Sequence, residues 1–394
     1  MTTAALRALK TPPLGFTLAL AVPGALLAAA LGAALVMEHR GHVVTGMDNQ
    51  IVWGLPHVFA VFLIVAASGA LNAASVASVF GRTAYKPLAP LSGLLAIALL
   101  VGGLAVLVLD LGRPDRLVVA LTHYNFKSIF AWNVFLYTGF LVIVAAYLWT
   151  MLERRMNRLS SRVGLAAFLW RLALTTGTGS IFGFLVARQG YDSALLAPTF
   201  VALSLSYGTA LFLLALLAAR AAAGGALADG SLARLARLQA IFVAAGLYFV
   251  AVQHLAGLYA ARRAGFEHFV LLDGGVHTAL FWLGQVVAGG VLPIVLLLRA
   301  PDSRRAVALA ALLVAAGGLA QMYVTIIGGQ AYPLALFPGF EVRSSFADGV
   351  VNGYVPRLPE ILLGAGGLAL AALITMIGTR LLPFVPERVE LGDA

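Results

Sequence analysis

Ten long apolar runs, separated by short polar segments, dominate the chain. Each run has roughly 20 residues or more, the length that an α-helix needs to cross a hydrocarbon core about 30 Å thick. The pattern therefore predicts an all-α integral membrane protein with ten transmembrane helices joined by surface turns. The predicted spans are residues 14–37, 54–79, 88–109, 129–151, 164–187, 195–219, 237–260, 276–298, 305–327 and 358–382.

The sequences of spans two to five resemble those of spans six to nine, in the same orientation. The fourth span has Gly139 seven residues after Trp132, and the eighth has Gly289 at the same distance after Trp282. This internal similarity predicts two tandem four-helix bundles, with the first and tenth helices peripheral. The predicted bundles are residues 54–187 and 195–327, followed by a long loop over residues 328–357.

Composition supports this class. Hydrophobic residues make up 61% of the chain, charged residues 11%, and the mean hydropathy is +0.96, whereas soluble domains are about 25% charged. A lipid bilayer is therefore the expected surrounding, and nucleic acid is excluded as a partner. The chain has no cysteine, which excludes an iron–sulfur cluster held by its own side chains. The first run is longer than a signal peptide's apolar region, so we expect it to remain as the first helix.

Basic residues predict the orientation. With Arg171 left out because it falls inside a span, the side of the termini carries 16 basic and 6 acidic residues, and the opposite side carries 9 and 10. The positive-inside rule then places both termini in the cytoplasm of a bacterial inner membrane and the longer polar loops in the periplasm. All seven histidines fall on or near the predicted periplasmic face.

The densest polar chemistry lies between Asp110 and Asn133. Charges at the edge of hydrocarbon are costly unless they pair or serve a function. Aspartate–arginine pairs that only rigidify a Gly-Pro turn are the structural alternative. The functional interpretation is a quinone head-group site, because a flat ring with two polar ends needs hydrogen-bonding groups beside an aromatic surface. The predicted quinone contacts are His57, Asp110, Arg113, Arg116, Tyr124, Asn125, Lys127 and Trp132.

Within this set we predict that His57, Asp110 and Lys127 carry the chemistry. An imidazole can donate a hydrogen bond to a quinone oxygen and exchange a proton near neutral pH, and Asp110 would take up or release the second proton. Arg113 and Arg116 would stabilise negative charge on the substrate or fix the loop. For His57 the structural alternative is an interfacial histidine that caps a helix end.

Arg171 lies deep enough in span five to need a partner or water. Together with neighbouring polar residues it predicts a wet path for protons through the first bundle. The alternative is ordinary interhelical hydrogen bonding with a snorkelling arginine. The predicted path residues are Asn72, Ser75, Asn133, Arg171 and Thr175.

Several segments resemble the NrfD/PsrC family of membrane subunits, which exchange electrons between quinone and an iron–sulfur partner. The resemblance rests on Val52–His57, Asp110–Arg116, Ser128–Asn133 and Gly177–Gly183. Similarity to the family's DsrP branch, which belongs to sulfur metabolism, rests on segments nearer the C-terminus: Ile327–Leu334, Asp348–Asn352, Leu358–Gly364 and Leu382–Pro386.

The resemblance implies a subunit that has no metal or haem and takes quinone, menaquinone or ubiquinone, as a substrate. A ferredoxin-like iron–sulfur protein would dock at the periplasm beside further membrane and cytochrome subunits, and quinone would bind at that end of the first bundle. In the polysulfide-reductase branch an asparagine of the leading helix contacts quinone. His57 occupies that place here.

Two other functions remain open from sequence. Tandem bundles with a polar interior also suit a secondary transporter, which would need a substrate site near mid-membrane. His254 and His277, at the same end of neighbouring spans, are the pair that a haem b quinol oxidoreductase would use.

Overall fold

The computed structural model describes residues 6–10, 13–225, 227, 230–334, 337, 349–387, 389 and 391. In this part of the chain ten helices are long and apolar enough to cross a membrane, which confirms the predicted class and number. We label them α1 to α10. Their bounds are Leu14–Arg40, Leu55–Ser78, Thr83–Leu109, Ile129–Leu152, Arg154–Gly183, Leu196–Ala222, Ser231–Tyr259, Gly275–Arg299, Arg304–Ala331 and Leu358–Leu381.

The bounds of two helices differ from those of the predicted spans. Helix α5 ends at Gly183 and begins ten residues before the predicted span, because a polar 3-10 turn over Arg154–Leu159 leads into it. Helix α9 continues to Ala331, into the predicted loop. The buried Gln330 side chain donates to the Ile326 carbonyl at 2.9 Å, which supports this last turn.

A short antiparallel sheet joins the two ends of the described chain. Strand β1, Leu6–Arg7, pairs with strand β2, Val385–Pro386. The Arg7 guanidinium donates to the Ala223 carbonyl at 2.6 Å, and Arg220 donates to Pro386 at the same distance. An even number of spans requires both ends of the chain to lie on one side of the membrane, and the pairing of β1 with β2 is consistent with this. We call this side the terminal face and the opposite side the loop face.

Packing contacts fall into two groups. Helices α2 to α5 contact one another in chain order and close through α5 against α2, and helices α6 to α9 do the same. Helix α10 packs on α3 and α2, and α1 packs mainly on α10. Helix α2 contacts α3, α6, α9 and α10 and is almost entirely buried, so it forms the centre of the molecule.

The two groups meet most closely where α2 crosses α6, at Gly69 and Gly208. A Cβ on Gly208 would collide with the backbone of Gly69 and Ala70, and a Cβ on Gly69 would collide with the Ser204 carbonyl. Small residues permit such contact, which takes the place of a hydrophobic driving force between helices in lipid.

Replacing Gly208 by alanine should therefore lower the apparent melting temperature in detergent, since overpacking costs about 1–3 kcal/mol. Gly32→Ala in α1 is the matched control, because nothing lies within 4 Å of a Cβ at that position. Equal melting of the two variants would contradict the assigned crossing.

Candidate functional site

The Asp110 carboxylate lies between two histidines at the loop face. Its Oδ2 is 3.5 Å from His57 Nδ1, and its Oδ1 is 3.8 Å from His42 Nε2. The Asp110 side chain is only 4% exposed, His57 is 17% exposed and His42 is 28% exposed. The structure thus brings together the predicted pair His57 and Asp110. His42 is not among the residues predicted from sequence.

Local backbone features place these three side chains together. Asp110 follows the last residue of α3, and its N–H donates to Val106 at 3.0 Å. Pro56, in the first turn of α2, fixes the backbone where the helix begins and so helps to position His57. Gly41 and Gly112 have φ values of +74° and +69°, which only glycine adopts readily, and they let the two connecting segments approach. A Cβ on Gly112 would lie 3.0 Å from His42 Cε1.

Charge couples His42 to its neighbours. Polar interaction with the Asp110 carboxylate raises the pKa of His42 above its usual 6.5, while partial burial acts in the opposite direction and Glu360 adds a smaller rise. At 3.8 Å His42 Nε2 and Asp110 Oδ1 are beyond hydrogen-bond distance. Both atoms are buried without a hydrogen-bond partner in the protein. Because such groups are costly, the pair is suited to hydrogen-bond a third oxygen between them.

Trp53 forms an aromatic platform beneath His57. The two rings stack with centroids 5.4 Å apart and planes 10° from parallel. Phe182 contacts the edge of Trp53 at 5.8 Å, and Phe130 and Tyr191 lie at 6.2 and 6.5 Å. Trp53 stands four residues before the predicted His57, within the segment Val52–His57 that carries the family resemblance, and it was given no role of its own from sequence.

Gln330, at the end of α9, fixes the backbone of this platform. Its Oε1 accepts from the N–H groups of Val52 and Trp53, both at 3.0 Å, and its Nε2 donates to the Trp53 carbonyl at 3.0 Å. Arg188 donates to the backbone carbonyls of Gln330 and Gln50, both at 2.8 Å. The second group of helices therefore holds the segment that enters α2.

The other charged residues of the predicted site have different environments. Arg113 and Asp115 form a two-pronged exposed pair with both N–O distances at 3.0 Å. Hydrogen bonding to Arg113 lowers the pKa of Asp115. The Arg116 N–H donates to the Arg113 carbonyl at 3.1 Å within the same turn. For Arg113 this geometry favours the alternative in which the pair fixes the loop.

The aromatic residues of the predicted site form a separate cluster. The Trp132 ring is half exposed, donates from Nε1 to the Phe126 carbonyl at 2.9 Å, and packs with Phe135, which in turn contacts Tyr124. The Lys127 N–H donates to the Asn125 side chain at 3.0 Å in a local turn. Four predicted residues lie in this cluster or in the turn beside it: Tyr124, Asn125, Lys127 and Trp132. Among the described residues, no side-chain hydrogen bond, ion pair or ring contact joins them to the His57–Asp110 pair.

The predicted path residues are largely connected. Arg171 is 3% exposed and donates to the Ser68 carbonyl at 3.0 Å and to Asn72 Oδ1 at 2.5 Å, so these partners are neutral oxygens. Thr175 donates to the Ser68 hydroxyl at 2.6 Å. Asn72 also donates to Thr209 of α6 at 2.7 Å.

Two predicted path residues lie outside that chain of bonds. Asn133 donates to the Gly177 carbonyl at 3.1 Å and accepts from Thr178 at 3.5 Å, one turn beyond Thr175. Ser75 donates back to the Leu71 carbonyl of its own helix at 2.9 Å. The hydrogen-bonded part of the predicted path therefore runs from Thr175 to Asn72. Asn133 lies beyond its loop-face end and is not bonded to it.

The histidines considered for haem have separate surroundings. His254 Nδ1 lies 2.5 Å from the buried Glu267 carboxylate, so one ring nitrogen is engaged. His277 packs against Phe269 and Tyr323. Within the described residues, no group of three or more His, Cys, Asp or Glu side chains is arranged to hold a metal ion.

Comparison with known proteins gives similarity over nearly the whole chain. The family model described as "Polysulphide reductase, NrfD" matches residues 43–334. An Hdr-like menaquinol oxidoreductase integral membrane subunit from Archaeoglobus fulgidus is 30% identical over 360 residues, which is 90% of each chain. A putative membrane subunit of a dimethyl sulfoxide reductase from Halobacterium salinarum is 29% identical, over 92% of this chain and 90% of its own. A selenate reductase subunit from Mesobacillus selenatarsenatis is 23% identical, over 89% and 90%.

The role of Gln330 can be tested by replacing it with leucine. The Trp53 N–H and carbonyl would lose their partner, at about 1–3 kcal/mol for each group left unpaired in a buried place. We expect a clear fall in the apparent melting temperature. Gln321→Leu in the same helix is the control, since the Gln321 amide makes one bond, to Thr325 at 3.0 Å, and its oxygen is already unpaired. A Gln330 variant no less stable than the Gln321 variant would contradict this role.

Proposed function

The chain belongs to the NrfD family of polysulphide reductase membrane subunits, and on that premise we propose that it is the quinone-reactive subunit of a multi-subunit oxidoreductase complex. Electrons would pass between the membrane quinone pool and an iron–sulfur partner bound at the loop face. The single observation that carries the proposal is the Asp110 carboxylate beside His57, with the His57 ring stacked on Trp53.

Quinone chemistry needs proton exchange at a ring oxygen as electrons move. The Nδ1 atom of His57 faces Asp110 at 3.5 Å, so its Nε2 is the atom available to a substrate. A carboxylate on one ring nitrogen orients an imidazole and stabilises its protonated form. His57 can therefore take a proton from a hydroquinone oxygen or return one to a quinone oxygen, with Asp110 as its immediate proton partner.

The surroundings suit an amphipathic substrate. Phe130 and Leu111, both 46% exposed, flank the region that holds Trp53 and Asp110, and they offer apolar surface at the rim of the bundle. Sites for small amphipathic ligands are mostly apolar with a few fixed polar groups. A ring that enters from the lipid would meet His57 without crossing the aqueous loops.

The positive-inside count supports a periplasmic loop face in an inner membrane, with both termini in the cytoplasm. On this orientation the iron–sulfur partner docks at the periplasmic face, and further membrane and cytochrome subunits complete the complex. The relatives are named as subunits of a menaquinol oxidoreductase, of a dimethyl sulfoxide reductase and of a selenate reductase. The resemblance of Ile327–Leu334 to the DsrP branch supports sulfur metabolism for this chain. Family membership speaks against the transporter alternative.

The quinone site can be tested with His57→Gln and Asp110→Asn variants of the assembled complex in membranes. Loss of a positioned acid or base should lower quinol-linked electron transfer by about 100-fold or more. Activity of the partner subunits with an artificial electron donor should be unchanged, which verifies assembly. His39→Gln, at an exposed position on α1, is the control. Full quinol-linked activity and unchanged quinone affinity in both site variants would refute the proposal.

A second function, proton transfer across the membrane during turnover, is supported by Arg171. Its hydrogen-bond partners Ser68 and Asn72 are neutral, and Asn72 continues to Thr209. A small cavity of about 10 Å³, close to the least that holds one water molecule, adjoins Asn72 and Thr209 and is also lined by Tyr85, in the turn that opens α3 from the terminal face. A cation held by neutral oxygens beside such space is typical of an intramembrane proton or ion path.

We expect Arg171→Gln in proteoliposomes to keep quinol turnover but to lose proton uptake per electron, as measured with a pH-sensitive dye. Arg171→Lys, which keeps the charge, should retain part of the uptake. Arg162→Gln, at an exposed position of the same helix, is the matched control. Proton uptake that is unchanged in the Arg171→Gln variant would count against the path.

A further inference from the structure

We propose that His42 is the proton-relay residue that connects Asp110 with water at the loop face. The inference rests on the proposed quinone site and adds to it the route by which protons leave or reach that site. His42 lies just outside the segment, residues 43–334, that the family model matches.

The two oxygens of Asp110 face different histidines. Oδ2 is 3.5 Å from His57, and Oδ1 is 3.8 Å from His42. The exposed fraction of the side chain falls from 17% at His57 to 4% at Asp110 and rises to 28% at His42. The buried carboxylate thus has an imidazole on each side, and His42 is the more exposed of the two. This order is what a proton needs to pass from an enclosed site to water.

His42 is held in this place by bonds that do not involve the site. Its carbonyl accepts from the Thr45 N–H at 3.0 Å and from the Thr45 hydroxyl at 2.5 Å. Gly46 N–H donates to the Glu360 carboxylate of α10 at 2.7 Å, which fixes the end of the same segment. The backbone that carries His42 is therefore fixed without a bond from Nε2, and that atom is free to exchange a proton with Asp110.

The groups whose charge raises the pKa of His42 are Asp110 of α3 and Glu360 of α10, and His57 of α2 lies across Asp110. Glu360 is fully buried and already accepts from the Tyr354 hydroxyl and from the N–H groups of Gly46 and Arg357. Since its oxygens are engaged in the structure, Asp110 is the group with a free oxygen facing His42.

The proton balance in the direction of quinol oxidation is as follows. One O–H bond of the hydroquinone breaks, its proton goes to His57 Nε2, and one electron goes to the iron–sulfur partner, a one-electron acceptor. The proton on His57 Nδ1 passes to Asp110 Oδ2. Rotation of the carboxyl group about its soft terminal torsion turns that proton toward His42, a water bridging the 3.8 Å gap carries it to Nε2, and His42 releases a proton from Nδ1 to water. Rotation of each imidazole about its soft χ2 torsion then returns the remaining N–H to its starting position, a second transfer completes one quinol, and reduction runs the sequence in reverse.

The test uses the assembled complex in membranes with a water-soluble naphthoquinol analogue as the donor. His42→Ala should lower kcat by about tenfold or more, as loss of a proton-transfer group does, while KM stays within about twofold. Added imidazole should restore kcat in a concentration-dependent manner, which a purely structural role of His42 would not produce. His42→Gln, which keeps a polar side chain without a titratable proton, should be slow as well. His39→Ala, three residues away and exposed, should match the wild type.

The outcomes separate the relay from the quinone site itself. If His57→Gln and Asp110→Asn are impaired but His42→Ala keeps the wild-type kcat, the relay is wrong and the site stands. If His42→Ala is slow but does not respond to imidazole, and its rate has the same pH profile as the wild type, His42 is structural and the relay is again wrong. If none of the variants affects quinol oxidation, the proposed function fails first. Activity of the partner subunits with an artificial donor identifies any variant that fails to assemble.

Discussion

One buried amide, the side chain of Gln330, joins the two groups of helices at the loop face, and the geometry around Trp53 depends on it. The segment between α1 and α2 has irregular backbone at the edge of hydrocarbon, where water is scarce and every polar group needs a partner in the protein. Gln330 supplies partners for the N–H groups of Val52 and Trp53 and for the Trp53 carbonyl. The platform beneath His57 is thus built by a residue of α9. The position of one ring in the first group of helices is set by a helix of the second.

The Asp110 carboxylate would be costly without its neighbours. It is nearly buried and stands at the C-terminal end of α3, where the aligned carbonyls favour a positive charge. His42 supplies a group that takes up such a charge readily, and the carboxylate raises its pKa. A negative group flanked by two bases keeps a proton nearby whichever member holds it. A site that exchanges protons with a hydrophobic substrate needs such a proton held close to it.

Much of this arrangement follows from the sequence. Ten helices are predictable because lipid requires long apolar runs, and the pairing of His57 with Asp110 follows from two span ends that share one face. His42 and Trp53 were missed because residues far along the chain fix their segment: Gln330 is 277 positions from Trp53, and Glu360 is 314 positions from Gly46. Trp132 and Lys127 were grouped with Asp110 because they are close in sequence. The short helix Leu117–Thr122 intervenes, and Trp132 packs in an aromatic cluster of its own.

The dependence on Glu360 and Gln330 sets an order of assembly. A chain enters the membrane from its N-terminus as it is made, so α2 and α3 bring His57 and Asp110 into the bilayer early. The residues that fasten the segment over Gly41–Gly54 arrive with α9 and α10, the last helices to be synthesised. The segment that carries His42 and Trp53 is therefore fastened to both partners only after α9 and α10 have entered the membrane. A chain that stops short of α10 carries both His57 and Asp110 but lacks the Glu360 bond that fastens Gly46.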